Sequence, residues 1–414
     1  MFKLQTVRGT HDILPHESRR HRLVTETAFE FARRYGYEEI STPIFEMTEV
    51  FIRTLGETSD IVTKEMYTFD DRSGDSITLR PEFTAGVARA FISGGLAHCL
   101  PLKVFCRGPM FRYERPQKGR LRQFHQIDVE ILGVAEPLAD IEIIAIGSDI
   151  LDALGLSEKV TLEINTLGDG KSRANYRAKL VEYFNDYRDK LSDDSLVRLK
   201  SNPLRILDSK DKGDRAVVAE APLLSDSLNM RSQEFFGAVT AGLDALSIDY
   251  TLSPRLVRGL DYYCHVAFEF STETLGSQGA VIAGGRYDSL IETMGGPPTP
   301  GTGWAAGVER LAMMVNDVPV PVRPVCVVPI GDAAGDEALR VTHRLRRCGF
   351  TVELGYSGNV KKRLNRANKI NASAAIFLGE DELAKGVATI RDMGSGEQTE
   401  APLASLEEHL TRYR

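Results

Sequence analysis

Phe111-Arg112-Tyr113-Glu114-Arg115-Pro116-Gln117-Lys118-Gly119-Arg120-Leu121-Arg122-Gln123-Phe124-His125-Gln126 is the stretch from which the fold can be read. A strand-like run enters a basic loop with a proline and a glycine, and an apolar alternation leads out again. This is the pattern of two strands joined by a turn. Alternation along the first strand puts Arg112 and Glu114 on one face, and the loop adds further cations. One arginine, one carboxylate and a cationic loop suit a nucleoside triphosphate with its magnesium. Alone, the same stretch also fits the solvated tip of a hairpin.

Working outward, short strand patterns cover residues 77–79, 104–111, 124–132 and 265–270, each broken by Gly, Pro or charged turns. Upstream, Val24, Ala28, Phe31, Ala32 and Tyr35 recur at three- and four-residue steps within 17–35, a helical stripe that Gly36 ends. Consecutive strands beside such helices predict an α+β fold, an antiparallel sheet flanked by helices. Between about 165 and 235 the chain turns rich in Asp, Lys, Arg and Ser with helical periodicity, which predicts a helical insertion. Residues 315–324 carry three prolines, a segment that cannot continue a helix and marks a domain boundary. Beyond it, strand patterns at 325–330, 351–354 and 374–378 alternate with helical ones at 335–348 and 360–368. That predicts a small α/β domain with a largely parallel sheet over 325–414, after a first domain over 1–320.

Bulk properties narrow the function classes. With 414 residues, 42% of them apolar, the chain is long enough for two or three domains and is neither fibrous nor disordered. A net charge of -7 argues against a protein that coats nucleic acid without specificity, although a local basic face is compatible with RNA. No apolar run has membrane-spanning length and no secretory leader is apparent, so the expected location is the cytoplasm, without membrane association. Five scattered cysteines show no paired spacing, and reduced, mostly packed thiols are expected.

Four more tracts carry chemistry. Thr78-Leu79-Arg80-Pro81-Glu82-Phe83-Thr84-Ala85-Gly86 places a carboxylate and a hydroxyl two residues apart. Leu256-Val257-Arg258-Gly259-Leu260-Asp261-Tyr262-Tyr263 sets two phenols beside an arginine, a pocket with an apolar body and polar tips, or an ordinary core edge. In Ala280-Val281-Ile282-Ala283-Gly284-Gly285-Arg286-Tyr287-Asp288, paired glycines permit close backbone approach. Gly301-Thr302-Gly303-Trp304-Ala305-Ala306-Gly307-Val308-Glu309-Arg310-Leu311 is a glycine-punctuated strand running into a helix. Gln126 and Glu130, four apart on the strand after the basic loop, share one face.

Taken in this order, the tracts resemble the class II aminoacyl-tRNA synthetases, and the Glu-Arg-Pro-Gln-Lys-Gly-Arg and Arg-Gln-Phe-His-Gln runs are similar to the histidine-specific family. The resemblance covers nearly the whole chain from Arg8-Gly9-Thr10 onward. It implies activation of L-histidine by ATP with Mg2+, without a prosthetic group, then transfer to the 3' end of tRNA(His). It implies that Arg112 and Arg258 carry the catalytic electrostatics and that Arg112, Glu114, Arg120 and Arg310 bind ATP. Glu82, Thr84, Gln126, Glu130, Arg258, Tyr262, Tyr263 and Tyr287 would bind histidine, with Glu130 and Tyr263 meeting the ring nitrogens. Gln117 and Lys118 in the loop would meet the tRNA. So would Lys361, Lys362 and Arg366, on a helix of what resembles an anticodon-binding module. No protein side chain is implied as a resident metal ligand. Pro43 matches a proline at the family's dimer interface, which implies a homodimer. A regulatory paralogue of the synthetases is the main rival, but such proteins lack the C-terminal module and have eroded motifs.

Overall fold

The computed structural model describes residues 4–56, 59, 61–257, 260, 262–276 and 279–414. Two compact units make up the chain, Met1–Val318 and Pro319–Arg414.

The first unit is built on an eight-stranded sheet. Its order is Glu38–Glu39, Leu102–Phe111, Gln123–Leu132, Gly301–Gly307, Ala280–Arg286, Cys264–Ser271, Thr161–Gly168, Thr251–Leu252. The six long strands pair antiparallel throughout. The two short edge strands run parallel to their neighbours, so the sheet is mixed at its margins.

The Gln123–Leu132 strand shows how sequence alternation builds the site. Its odd residues Ile127, Val129 and Ile131 enter a core shared with Ile143, Ile144 and Ile150 of the helix Pro137–Ala153. The opposite face carries Phe124, Gln126, Asp128, Glu130 and Leu132. There Phe124 and Leu132 join a second core with Phe83, Met110 and Tyr287. One face of the sheet therefore buries aliphatic surface while the other presents polar groups beside aromatics.

Helix Pro15–Arg34 begins with proline at its first position and buries Val24, Ala28 and Ala32, the predicted stripe. Gly36 follows at φ 81°. A small antiparallel sheet, Phe45–Met47, Ser76–Leu79 and Tyr67–Asp70, precedes the helix Thr84–Ser93.

The insertion starts later than its composition suggests. Residues Thr161–Gly168 are a strand of the main sheet, with Ile164 fully buried. Helix Met230–Ala245, in turn, packs Val239 and Leu243 into the main core. Between them, helices Gly170–Asp186, Asp193–Ser201 and Lys212–Ala219 enclose a core of their own around Leu180, Phe184, Leu199 and Val217.

The second unit has a five-stranded mixed sheet in place of the largely parallel one expected. Val325–Pro329 pairs in parallel with Val352–Leu354 and Ala374–Leu378, while Val387–Asp392 and Gln398–Pro402 form an antiparallel hairpin at the edge. Asp392 Oδ1 closes that hairpin by accepting from the backbone N–H groups of Gly394 and Ser395. Helices Gly335–Arg347 and Val360–Lys369 complete the unit. Among the described residues, no helix is long and apolar enough to cross a membrane.

Candidate active site

The polar face of the main sheet opens into a cavity of about 810 Å³ within the first unit. Its floor is made by small residues, Ala283, Gly303, Ala305 and Gly307, on adjacent strands. These leave room where larger side chains would fill the layer.

At one end the cavity is lined by Arg112, Glu114, Arg120, Glu309 and Arg310. Arg112 lies just past the end of its strand. Its Nε donates to Pro81 O at 2.9 Å, and its guanidinium covers the Phe124 ring at 5.3 Å. Glu114 is buried and ion-paired with Arg120, and Arg120 also reaches Glu65 Oε1 at 3.5 Å. Arg310 donates to Gly119 O at 3.0 Å and to Ala280 O at 2.7 Å, which ties the basic hairpin to the helix Val308–Met314. Two arginines of the basic hairpin and one from far along the chain thus converge on one volume, an arrangement fit for several phosphate groups.

The other end holds Glu82, Thr84, Gln126, Tyr262 and Tyr263. Glu82 Oε1 accepts from the Ala85 N–H at 2.7 Å and Oε2 from the Tyr262 hydroxyl at 3.2 Å. Burial raises the Glu82 pKa, with these hydrogen bonds and Arg112 opposing the shift. Gln126 Oε1 is buried without a hydrogen-bond partner. A ligand with a cationic amine would satisfy both groups.

Glu130 and Tyr287 meet next to this end of the cavity. Both are buried at the edge of the cavity: Glu130 lies on the cavity face beside Gly303 of the floor, with Thr84 Oγ1 donating to its Oε1 at 2.6 Å and the Tyr287 hydroxyl donating to its Oε2. Burial lifts the Glu130 pKa to about 7, and the same burial drives that of the Tyr287 phenol far upward. The physical reason for these contacts is polar satisfaction, since a buried carboxylate recruits the nearest hydroxyls. Arg258 lies outside the described residues. Gln117 and Lys118 are exposed at the hairpin tip, bridged across it by Gln117 and Arg120.

Several participants were not foreseen. Insertion residues Ser192, Asp193, Asp194, Arg198, Lys210 and Asp211 line the cavity beside the arginines. Asp214 holds these segments by accepting from Ser192 N, Ser192 Oγ, Ser195 Oγ and Ser209 Oγ. The runs around them, Ser192-Asp193-Asp194-Ser195 and Ser209-Lys210-Asp211-Lys212, carry no motif beyond the Asp, Lys and Ser richness of the insertion. Glu309 is a second surprise: its carboxylate accepts from the His125 N–H and lies 2.8 Å from His125 Nδ1. His21, His125 and Glu309 bring three potential metal-ligating atoms within 4.8 Å of one another, and the Glu309 to His125 bonds already account for this cluster. The cavity carboxylates Glu114 and Glu309 supply hard oxygens of the type magnesium accepts.

Below the floor, Arg286 and Asp140 form an ion pair at 2.5 Å with neither side chain more than 1% exposed. Thr302, the carbonyls of Val134 and Glu136, and Asp288 Oδ1 at 3.0 Å from Arg286 add further hydrogen bonds. The next residue, Tyr287, carries the hydroxyl that donates to Glu130.

In the second unit, Lys361, Lys362 and Arg366 are exposed on helix Val360–Lys369. Arg366 is engaged with Glu353 at 2.6 Å.

Comparison with known proteins decides the family. The family model for histidyl-tRNA synthetase matches residues 9–311, and that for an anticodon binding domain matches 324–413. The chain belongs to the histidyl-tRNA synthetase family. It is 62% identical to a histidine–tRNA ligase of Rhodospirillum rubrum over the whole of both chains. It is 54% identical to that of Gluconacetobacter diazotrophicus over 99% of each chain. The apo histidyl-tRNA synthetase of S. aureus superposes with a TM-score of 0.83 at 34% identity, covering 98% of this chain and 99% of the other. In this synthetase fold the sequence tracts singled out above meet at one cavity, with Glu130 and Tyr287 buried beside it; Arg258 lies outside the described residues. The five cysteines are all free: Cys106 and Cys326 are buried, Cys99 and Cys348 exposed.

Proposed function

We propose that the chain is a histidine–tRNA ligase that uses ATP with Mg2+ and needs no prosthetic group. The observation that carries this reading is the shared cavity. Arg112, Arg120 and Arg310 gather at one end, and Glu82, Thr84 and Gln126 stand with the two tyrosines at the other. A triphosphate and an amino acid therefore lie end to end, with the reacting carboxylate between them.

In the first step a carboxylate oxygen of histidine attacks the α-phosphorus, the bond to the β-phosphate oxygen breaks, and diphosphate leaves with histidyl-adenylate retained. No protein nucleophile is required, so rate comes from placement and from cations matched to the developing charge. Arg112 supplies that charge, with Arg258 as its intended partner. Glu82, Thr84 and Gln126 hold the α-ammonium. In the second step a ribose hydroxyl of the terminal tRNA adenosine attacks the activated carbonyl and AMP departs, its phosphate oxygen taking the proton.

Selectivity follows from the flat ring with two nitrogens. Glu130 and Tyr263 take these nitrogens, and Tyr287 holds Glu130. An amino acid lacking the ring leaves buried polar groups unpaired, a penalty of about 1–3 kcal/mol per group.

Residues 1–320 carry this chemistry, and 325–414 meet the anticodon arm of tRNA(His) through Lys361, Lys362 and Arg366, while Gln117 and Lys118 meet the acceptor end. The protein works in the cytoplasm as a homodimer. Exposed Ile44, Phe45, Met47 and Phe69 near Pro43 support the pairing, being apolar side chains gathered on and beside the small sheet. Charging of tRNA(His) with labelled histidine tests the proposal. Accumulation of histidyl-tRNA supports it, and a chain that loads no histidine onto any tRNA overturns it.

A further inference from the structure

Asp128 stands between the two residues that the binding scheme uses, Gln126 and Glu130, on the cavity face of the Gln123–Leu132 strand. It is only 1% exposed, no N–H or hydroxyl group donates to either of its carboxylate oxygens, and its carboxyl lies within hydrogen-bond reach of that of Glu130. An acid buried this deeply and left without such a donor is costly as an anion, so the site must offer it another state or another contact.

The surroundings indicate which. In the sheet Asp128 pairs with Cys106 on one side and with Ala305, a floor residue, on the other. Glu130 lies one pleat along the same strand, and Glu82 faces both from the loop ahead of helix Thr84–Ser93. Arg112 at the end of the Leu102–Phe111 strand is the cation acting on Asp128. Tyr262 and Tyr287 close the remaining sides with phenols bonded to Glu82 and Glu130. Among the described residues, three carboxyls thus share one buried layer with the guanidinium of Arg112, which makes ionising all three together costly.

Glu130 has two donors, Thr84 and Tyr287, one to each oxygen. We propose that Asp128 is a positioning residue for Glu130: it remains the neutral acid and its O–H donates a hydrogen bond to the Glu130 carboxylate, which keeps Glu130 ionised and aimed at the substrate ring. No proton leaves the pair in this arrangement; an O–H of Asp128 simply becomes a hydrogen bond to Glu130. Burial and the nearby Glu130 and Glu82 charges push the Asp128 pKa well up, in keeping with a carboxyl that stays protonated. The proposal rests on the reading that Glu130 meets the imidazole.

Asp128→Ala and Asp128→Asn separate the possibilities, because an amide keeps a donor at that position and a methyl does not. The assay is histidine-dependent ATP–pyrophosphate exchange from pH 6 to 9, with thermal melting as the check on folding. Asp128→Ala should raise the KM for histidine about tenfold, the size of one lost hydrogen bond to a charged group, with little change in kcat or in the KM for ATP. Its acidic limb of kcat/KM for histidine should move to higher pH, since Glu130 then holds its proton more tightly. Asp128→Asn should restore the KM and leave the limb where the wild type has it. An Asp128→Ala enzyme with unchanged histidine KM and limb overturns the inference, as does an Asp128→Asn enzyme as impaired as Asp128→Ala. A limb displaced to lower pH in Asp128→Asn also overturns it, because that marks Asp128 as an anion. Glu130→Ala serves as the control. If it leaves histidine KM unchanged, the reading of Glu130 itself fails; if it raises KM while Asp128→Ala does not, only the role of Asp128 falls.

Discussion

Gly303 and Glu130 sit opposite each other on paired strands, and a methyl group placed on Gly303 would overlap Glu130 Oε2. Glycine is needed here for space, not for an unusual backbone angle. Gly303→Ala should push Glu130 off its bonds with Thr84 and Tyr287, costing about 1–3 kcal/mol of stability through overpacking. Histidine KM should rise at least about tenfold with it. Equilibrium unfolding and amino-acid-dependent exchange kinetics check the two effects separately.

Glu130 also makes stability depend on pH. Its pKa in the folded chain is raised from 4.5 to about 7. Below pH 4.5 both folded and unfolded states hold the proton. Between there and 7 the folded state keeps a proton that the unfolded state has released, so stability falls as pH rises through that window. Glu130→Gln cannot ionise and should lack this fall, by up to about 1.4 kcal/mol per pH unit, the slope of one proton. Urea unfolding of both proteins at pH 5 and pH 8 measures the difference; parallel curves would remove the effect.

Arg286 and Asp140 should behave as a buried pair in which one partner alone is worse than neither. Arg286→Met strands the Asp140 carboxylate in the core and should cost about 3–5 kcal/mol, while Asp140→Asn should cost less, since Arg286 keeps the partly exposed Asp288. The double replacement Arg286→Met with Asp140→Leu should cost less than either single change predicts by addition. A double-mutant cycle in denaturant reads the coupling directly.

Lys361→Glu with Lys362→Glu should weaken tRNA charging through KM and flatten its dependence on salt, while pyrophosphate exchange is untouched. Arg366→Ala should do less, because its guanidinium is already held by Glu353. Charging and exchange assays between 50 and 300 mM salt distinguish the two steps.

How far the sequence reveals this molecule depends on whether the information is local. The helix Pro15–Arg34 and the strands flanking the basic hairpin are written in periodicity, because one face of each meets a core and the other does not. The hairpin Val387–Asp392 with Gln398–Pro402 was not legible, since its turn, Asp392 to Gly396, lies in a polar stretch that looks like any surface loop. Thr161–Gly168 was absorbed into the insertion because its alternation ends in Asn, Thr and Gly, turn-forming types that are here part of the sheet.

Within the site, the tracts named their residues but not their contacts. Glu130 was expected to meet a ring nitrogen of histidine; only the three-dimensional structure brings Thr84 and Tyr287 to it, from positions 46 and 157 residues away. The insertion residues around Asp193 and Lys210 carry no motif, and their place on the cavity wall comes from how that subdomain packs. Asp128 shows the same limit: its type suggests an exposed turn, and its burial follows from alternation between Gln126 and Glu130.

ATP–pyrophosphate exchange run with each of the twenty amino acids is the most direct test of the central claim, that arginines and buried carboxylates around one cavity activate histidine. The expected result is exchange with L-histidine alone, falling about a hundredfold in Arg112→Ala, the scale for losing one group that stabilises transition-state charge. Exchange independent of any amino acid, or equal with a residue lacking the imidazole ring, would contradict the account.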